Sequence, residues 1–438
     1  MTAPEASNTP RHAGWTGEPS PWLLSHLDSP VRWRPWQPER LVEARAANAP
    51  VLLVMASADC LPFEQMARES FADPLTATVM NEDHVCVLAD ARWHPELDRQ
   101  LQWAHQLLTG RAGGWPLVAL VDPLDARPYF VGTYLPAQST GSLPGLREFL
   151  QQARQHHRRT RAALLAQGER LAAAMLKLHP ARSTADAAPD RALLDQAREQ
   201  LAAGFDAATG LFRVGDAEIP MALACRRLLR HWWTSADSAE PDLHALYLAT
   251  RALSVANTRP AAPPEQQADW LILNAVTAHL TGDRVFAEAA DRRAEILGEA
   301  ARDSGKPMPD DLRLQAWQAL VVAGRWLGRD EWLEASGRQF GDWRQGREPA
   351  ALPPATLSAA LATATALLPV RRIESECRWT AELAAALAAH LAHPGATALP
   401  GLPMVSLAAD EGRSSPLGLA IRCLRRHASQ TQDAPWTD

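Results

Sequence analysis

Apolar and polar positions along the chain follow two different periods, and the change of period divides it. Val51-Leu52-Leu53-Val54-Met55 is continuously apolar, bounded by Pro50 and the polar Ser57-Ala58-Asp59. An apolar run without alternation predicts a strand buried on both faces, as in the middle of an α/β sheet. His84-Val85-Cys86-Val87-Leu88, ending at Asp90, predicts a second strand, and Leu117 to Val121 a third. Asp122-Pro123 and Asp125-Ala126 predict a hairpin turn into a fourth strand at Tyr129-Phe130-Val131. Helical spacing predicts helices at 38–48, 61–68, 74–81 and 97–109, the last with Leu101, Ala104, His105 and Leu108 on one face. Residues 143–178 are strongly helical. Beyond 190 the pattern holds no convincing strand. Helical segments recur at about 191–203, 218–233, 242–256, 265–281, 284–300, 311–328, 330–344, 355–368, 373–393 and 416–427. With short loops, neighbours among them are expected to pack as antiparallel hairpins, as in a toroid or solenoid.

Upstream of the first strand, Trp22, Trp33 and Trp36 lie among Pro21, Pro30 and Pro35. The prolines block a long helix and the indoles need burial, so residues 20–36 are expected as an extended segment pinned to a domain face. Residues 1–19 are polar and Pro-rich and are expected to be poorly ordered. The order β-α-β-α-β-β-α, with a proline opening the third strand, is that of a thioredoxin-like domain. The expected organisation is a thioredoxin-like domain at 20–178, a linker at 179–190 and an all-α region at 191–430. The fold class is thus α/β plus all-α.

Composition narrows the function. The chain has 438 residues, 47% hydrophobic and 21% charged, and a net charge of −6. There is no basic field for nucleic acid or an anionic membrane. No apolar run reaches the roughly 20 residues of a membrane span, and Met1 to Gly14 holds no apolar signal core. The five cysteines, Cys60, Cys86, Cys225, Cys377 and Cys423, are scattered and form no CxxC pair. This argues against a disulfide scaffold or a zinc ribbon and for a reducing cytoplasm. No cofactor is implied.

The chemistry centres on Cys60. It follows a buried strand and opens a helix, where unpaired N–H groups and the helix dipole stabilise a thiolate. Disulfide exchange needs a second thiol three residues on, to resolve the mixed disulfide. Phe63 occupies that position. Dithiol catalysis is therefore not expected, and Cys60 is left as a candidate monothiol. Asp59 and Glu64 flank it, and like-signed neighbours disfavour the thiolate. Trp115-Pro116, after Gly113-Gly114, is expected to form a cis-proline loop facing Cys60. Cys86 reads as a small buried hydrophobe. Asp90 is either a loop acceptor or surface, and His156-His157-Arg158-Arg159 is a solvated face.

The same segments carry a family resemblance. Ser20-Pro21-Trp22-Leu23-Leu24 with His26, Arg68-Glu69-Ser70-Phe71, Gly113-Gly114-Trp115-Pro116-Leu117 and Gly132-Thr133-Tyr134 make the chain similar to the thioredoxin-domain proteins typified by spermatogenesis-associated protein 20. The resemblance covers about residues 15–175. It implies a thioredoxin-like domain joined to a six-hairpin, glycosidase-like (α/α) barrel, here shortened. The family's usual Cys-His-Trp-Cys-His reads Cys60-Leu61-Pro62-Phe63-Glu64, so only Cys60 carries over.

Three functions follow, the third a structural or assembly partner in which both old sites are relics. The first is a divergent thioredoxin-like protein that binds a protein or small ligand between Cys60 and Pro116. The second is a carbohydrate-active or sugar-binding protein using the helical region, with acids drawn from Asp269, Asp310, Asp311, Asp410 and Glu411. Glycoside hydrolysis needs two carboxylates at a fixed separation, and nothing in the sequence pairs these. His390 and His393 lack a third ligand at metal spacing, so no metal site is expected. Neither the partner nor the oligomeric state is legible.

Overall fold

The computed structural model describes residues 15, 18, 20–58, 60–141, 143–178, 191–214, 217–235, 242–259, 264–302, 308–371, 373–392, 398–403 and 416–431. The chain forms two compact units, Met1–Arg182 with His390–Leu407, and Ser183–Ala389 with Ala408–Asp438. The linker expected at 179–190 lies outside the described residues, as does most of 1–19.

The first unit runs α1 (Pro21–Leu24), β1 (Arg34–Pro35), α2 (Glu39–Ala46), β2 (Val51–Ala56), α3 (Leu61–Met66), α4 (Pro74–Asp83), β3 (Val85–Asp90), α5 (Pro95–Thr109), β4 (Leu117–Asp122), β5 (Arg127–Gly132) and α6 (Leu146–Leu178). Its five strands lie in the order β1-β3-β2-β4-β5. β1 and β2 run parallel to β3, while β4 is antiparallel to both β2 and β5. The side-chain period of two sends Val51, Leu53 and Met55 into one core, with Leu41 of α2 and Leu97 and Leu101 of α5. It sends Leu52, Val54 and Ala56 into the other, with Phe63 of α3 and Met80 of α4. Covering both faces requires the unbroken apolar runs seen in the sequence.

The long helix α6 serves both cores. Leu146 and Leu150 enter the second core and Leu171 and Met175 the first. Between them Thr160 leaves helical geometry at φ −128°, ψ 25°. The segment 20–36 is less extended than expected. Pro21 occupies a first-turn position, where its missing N–H costs nothing, and the Ser20 hydroxyl accepts the Leu23 N–H, so α1 forms.

A stretch from near the other end of the sequence completes this unit. Leu399 and Leu402 are buried in the first core. The Gln100 side chain, wholly buried, accepts the Leu399 N–H at 2.7 Å and donates to the carbonyls of Leu399, Leu402 and Pro403. Gly401 packs so closely that a Cβ would lie 2.0 Å from the Asp125 carbonyl oxygen.

His157 corrects the reading of 156–159 as a solvated face. Its ring is 3% exposed, 2.8 Å from Asp122 and stacked on Tyr129. Arg161 also grips Asp122, at 2.7 and 2.9 Å. Burial opposes the Asp122 charge, but the bonds from His157 and Arg161 outweigh it and hold the carboxyl well below the usual range.

The second unit is mostly helical. It contains α7 (Arg191–Ala203), α8 (Ala222–Ser235), α9 (Leu243–Thr258), α10 (Pro264–Thr281), α11 (Arg284–Arg302), α12 (Asp310–Leu327), α13 (Asp330–Arg344), α14 (Pro354–Leu367), most of α15 (Glu374–Ala392) and α16 (Pro416–Thr431). Sequence neighbours α8 and α9, α10 and α11, and α12 and α13 pack together, and α12 also packs on α10 and α14. Every residue of α14 from Thr356 to Leu367 is buried. The expectation of no strand is corrected by a three-stranded antiparallel sheet of β6 (Phe205–Asp206), β7 (Leu211–Val214) and β8 (Ala217–Ile219). Strands of two to four residues are too short to display a period.

Candidate functional site

The site is built where β2, β3 and β4 meet. Met55 pairs with Leu117 and Ala56 with Asp90. That register brings the segment after β2, the end of β3 and the loop before β4 to one edge of the sheet. Cys60, Asp90 and Pro116 all lie there.

Cys60 is the N-cap of α3, with φ −84° and ψ 89°. Its N–H donates to the Ser57 carbonyl, and its own carbonyl accepts the Glu64 N–H. Pro62 sits in the first turn, where it is compatible with the helix. The residue is 7% exposed, whereas its neighbour Leu61 is 78% exposed. Asp59, the other expected neighbour, lies outside the described residues. After Met66 the helix widens into a π-helical turn, Ala67–Phe71, which buries Ser70 and Phe71.

Phe63 is wholly buried. Its ring lies edge-on to Trp22 at 4.9 Å and to His26 at 5.2 Å, and 5.9 Å from Phe71. The place of a resolving sulfur is thus taken by an aromatic cluster from α1, α3 and the π turn. Cys86 is no substitute. It pairs with Leu52, four positions before the end of β3, so the strand rise puts it about 13 Å from that edge. Its thiol faces the Met80 carbonyl at 3.2 Å, and burial pushes it up to about 12. All five cysteines are thiols.

Asp90 is 4% exposed and accepts the Ser20 hydroxyl at 2.6 Å and the Arg92 N–H at 2.9 Å. This decides between the two readings of Asp90: it anchors the N-terminal segment to the site. Glu18 accepts the Ser20 N–H at 3.1 Å. Burial pushes the Glu18 carboxyl up, the Ser20 N–H opposes this, and nearby Asp90 adds to it. The His26 pKa is lowered by burial, against the pull of Glu64. Its Nε2 is buried with no hydrogen-bond partner among the described residues. The ring lines a cavity of about 100 Å³ with Trp15, Ser29, Arg32 and Asn81. The sequence reading named His26 only among the residues of the family resemblance and missed Glu18, because neither stands at a spacing that signals chemistry.

The Trp115–Pro116 peptide is cis. Trp115 is 44% exposed, and its indole N–H donates to Asp98 of α5 at 2.8 Å, which fixes the ring. A Cβ at Gly113 would lie 2.0 Å from the Gln102 amide oxygen, so a side chain there would displace the end of Gln102. Cys60 therefore shares its edge with two exposed apolar side chains, Leu61 and Trp115, and with the buried carboxylate of Asp90. No group of three or more His, Cys, Asp or Glu able to hold a metal occurs among the described residues. No described helix is long and apolar enough to cross a membrane. His393, Asp410 and Glu411 lie outside the described residues.

Comparison with known proteins concerns this unit. Residues 15–176 match the family model for thioredoxin-type DsbH proteins, described as a protein of unknown function, DUF255. Spermatogenesis-associated protein 20 of Homo sapiens is 31% identical over 159 residues, 36% of this chain and 20% of the relative. The Mus musculus protein of that name is 30% identical over the same length. An uncharacterized protein of Caenorhabditis elegans is 32% identical over 128 residues, 29% of this chain and 17% of the relative. The matched segment spans about a fifth of the length of these curated relatives. The segment 15–176, with its strand order β1-β3-β2-β4-β5, matches a thioredoxin-type family model and is similar to spermatogenesis-associated protein 20.

Proposed function

We propose that the chain is a divergent thioredoxin-like protein that binds a partner polypeptide or small ligand at the edge between Cys60 and the Trp115–Pro116 loop, without dithiol exchange. The observation that carries this is Phe63, wholly buried three residues after Cys60. Exchange at a lone thiol stops at the mixed disulfide until an outside thiol releases it. The exposed faces of Leu61 and Trp115 supply apolar contact, and the indole of Trp115 is held in place by Asp98. Five thiols without a disulfide accord with a reducing compartment, the cytoplasm.

In this reading the second unit is a shortened barrel of αα-hairpins, supported by the pairing of neighbouring helices. The carbohydrate reading finds less support. Asp269 is paired with Arg226 at 3.4 Å and Asp310 with Arg313 at 3.3 Å, and Asp311 is buried at 9% exposure.

An insulin-reduction assay with an electron-donating reductase tests the redox half of the proposal. The expected result is no turnover above the reductase alone, and sustained turnover overturns it. Maleimide titration against pH tests Cys60 itself. Protection of Cys60 by a bound partner is expected for a binding edge, and an apparent pKa at or above the free-thiol value of about 8.5 removes a monothiol role.

A further inference from the structure

We infer that the second unit carries a binding site for a phosphorylated small molecule, in a cavity between the end of α13 and α15. The cavity measures about 320 Å³ and is lined by Arg344, Gln345, Arg347, Ser375, Arg378 and Trp379, with Glu382 as its one acid. That volume is at the lower end of small-ligand sites. Three guanidiniums and one carboxylate line it, and Glu374 and Asp310, outside the lining, pair with Arg378 and Arg347, which leaves Arg344 as the cation without a carboxylate partner among the described residues.

The arginines are held in different ways. The Nη2 of Arg378 bonds Glu374 at 3.2 Å, on one edge of its planar fork. Arg347 is tied to Asp310 at 3.6 Å and donates to the Trp343 carbonyl, with its guanidinium 4.8 Å from the Trp343 ring. Arg344 lies 6.0 Å over the Trp379 ring and has no carboxylate partner among the described residues. Trp379 is braced edge-on by Phe340 at 5.8 Å and Trp343 at 6.2 Å, which makes a firm wall. Two guanidiniums with donors to spare, one braced and one uncompensated, suit the three oxygens of a phosphate ester, which arginine forks grip in pairs. Gln345 and Ser375 add neutral groups for the hydroxylated remainder of such a molecule. A long polyanion is disfavoured by the overall negative charge.

Isothermal titration of the full chain with ribose 5-phosphate, ribose and inorganic phosphate tests the site. Ribose 5-phosphate is expected to bind, ribose is not, and added salt is expected to weaken binding. Arg344→Ala and Arg378→Ala should each weaken it about tenfold, or 1.4 kcal/mol. Glu382→Gln should tighten it, a gain that misfolding cannot mimic. The inference is overturned if ribose 5-phosphate does not bind at millimolar concentration, if inorganic phosphate binds equally well, or if the arginine variants bind like the parent.

Discussion

His84 stands between α4 and β3, 5% exposed, and burial pulls its pKa down to about 4. The unfolded chain would protonate it near 6.5, so between these values the unfolded state binds more protons than the folded one. Stability then rises with pH across that window and is lost on acidification, by up to about 1.4 kcal/mol per pH unit for this group. Urea unfolding at several pH values should show the slope, and His84→Gln should flatten part of it; parallel profiles would refute the assignment. At this scale legibility is uneven. Phe63 was readable because the spacing from Cys60 is local. His157 was not, because its partner Asp122 lies 35 residues earlier and only the fold brings the two together.

Among the elements, α14 is a helix with no solvent face from Thr356 to Leu367. Its small residues let neighbours approach closely, and Thr363 donates its hydroxyl to carbonyls of Leu314 at 2.9 Å and Ala359 at 2.8 Å. Thr363→Val should cost about 1 kcal/mol, because a buried carbonyl loses a donor. Ala360→Leu, with no room to enter, should cost about 1–3 kcal/mol. Ala385→Leu, on the exposed face of α15, should stay within about 0.5 kcal/mol. Chemical denaturation of the three variants checks the ranking, and equal effects would contradict the burial of α14. Long elements were legible for a physical reason. Five apolar residues in a row, or several helical turns, carry a period, whereas β1, β6 and β8 are two or three residues each and carry none. The segment 398–403 was invisible because Ala-Leu-Pro-Gly-Leu-Pro has no regular structure to announce it.

For the molecule as a whole, the discontinuity of the first unit has a measurable effect. A fragment ending at residue 178 keeps the sheet but loses Leu399, Leu402 and the four backbone groups that occupy the Gln100 amide. A buried amide without partners costs about 1–3 kcal/mol, beyond the lost apolar contact. Such a fragment should unfold at lower denaturant concentration than the unit does in the full chain. A synthetic peptide of residues 398–403 fused to its C-terminus through a flexible linker should restore part of the difference, and equal midpoints for fragment and full chain would show that the segment contributes nothing.

The same loop-back imposes an order on biosynthesis. Ribosomes emit roughly 5–20 residues each second, so the sheet is out of the exit tunnel on the order of ten seconds or more before the residues that seal it. During that interval the nascent chain shows an open seat beside Gln100, shaped for its own distal piece and accessible to anything else of similar form.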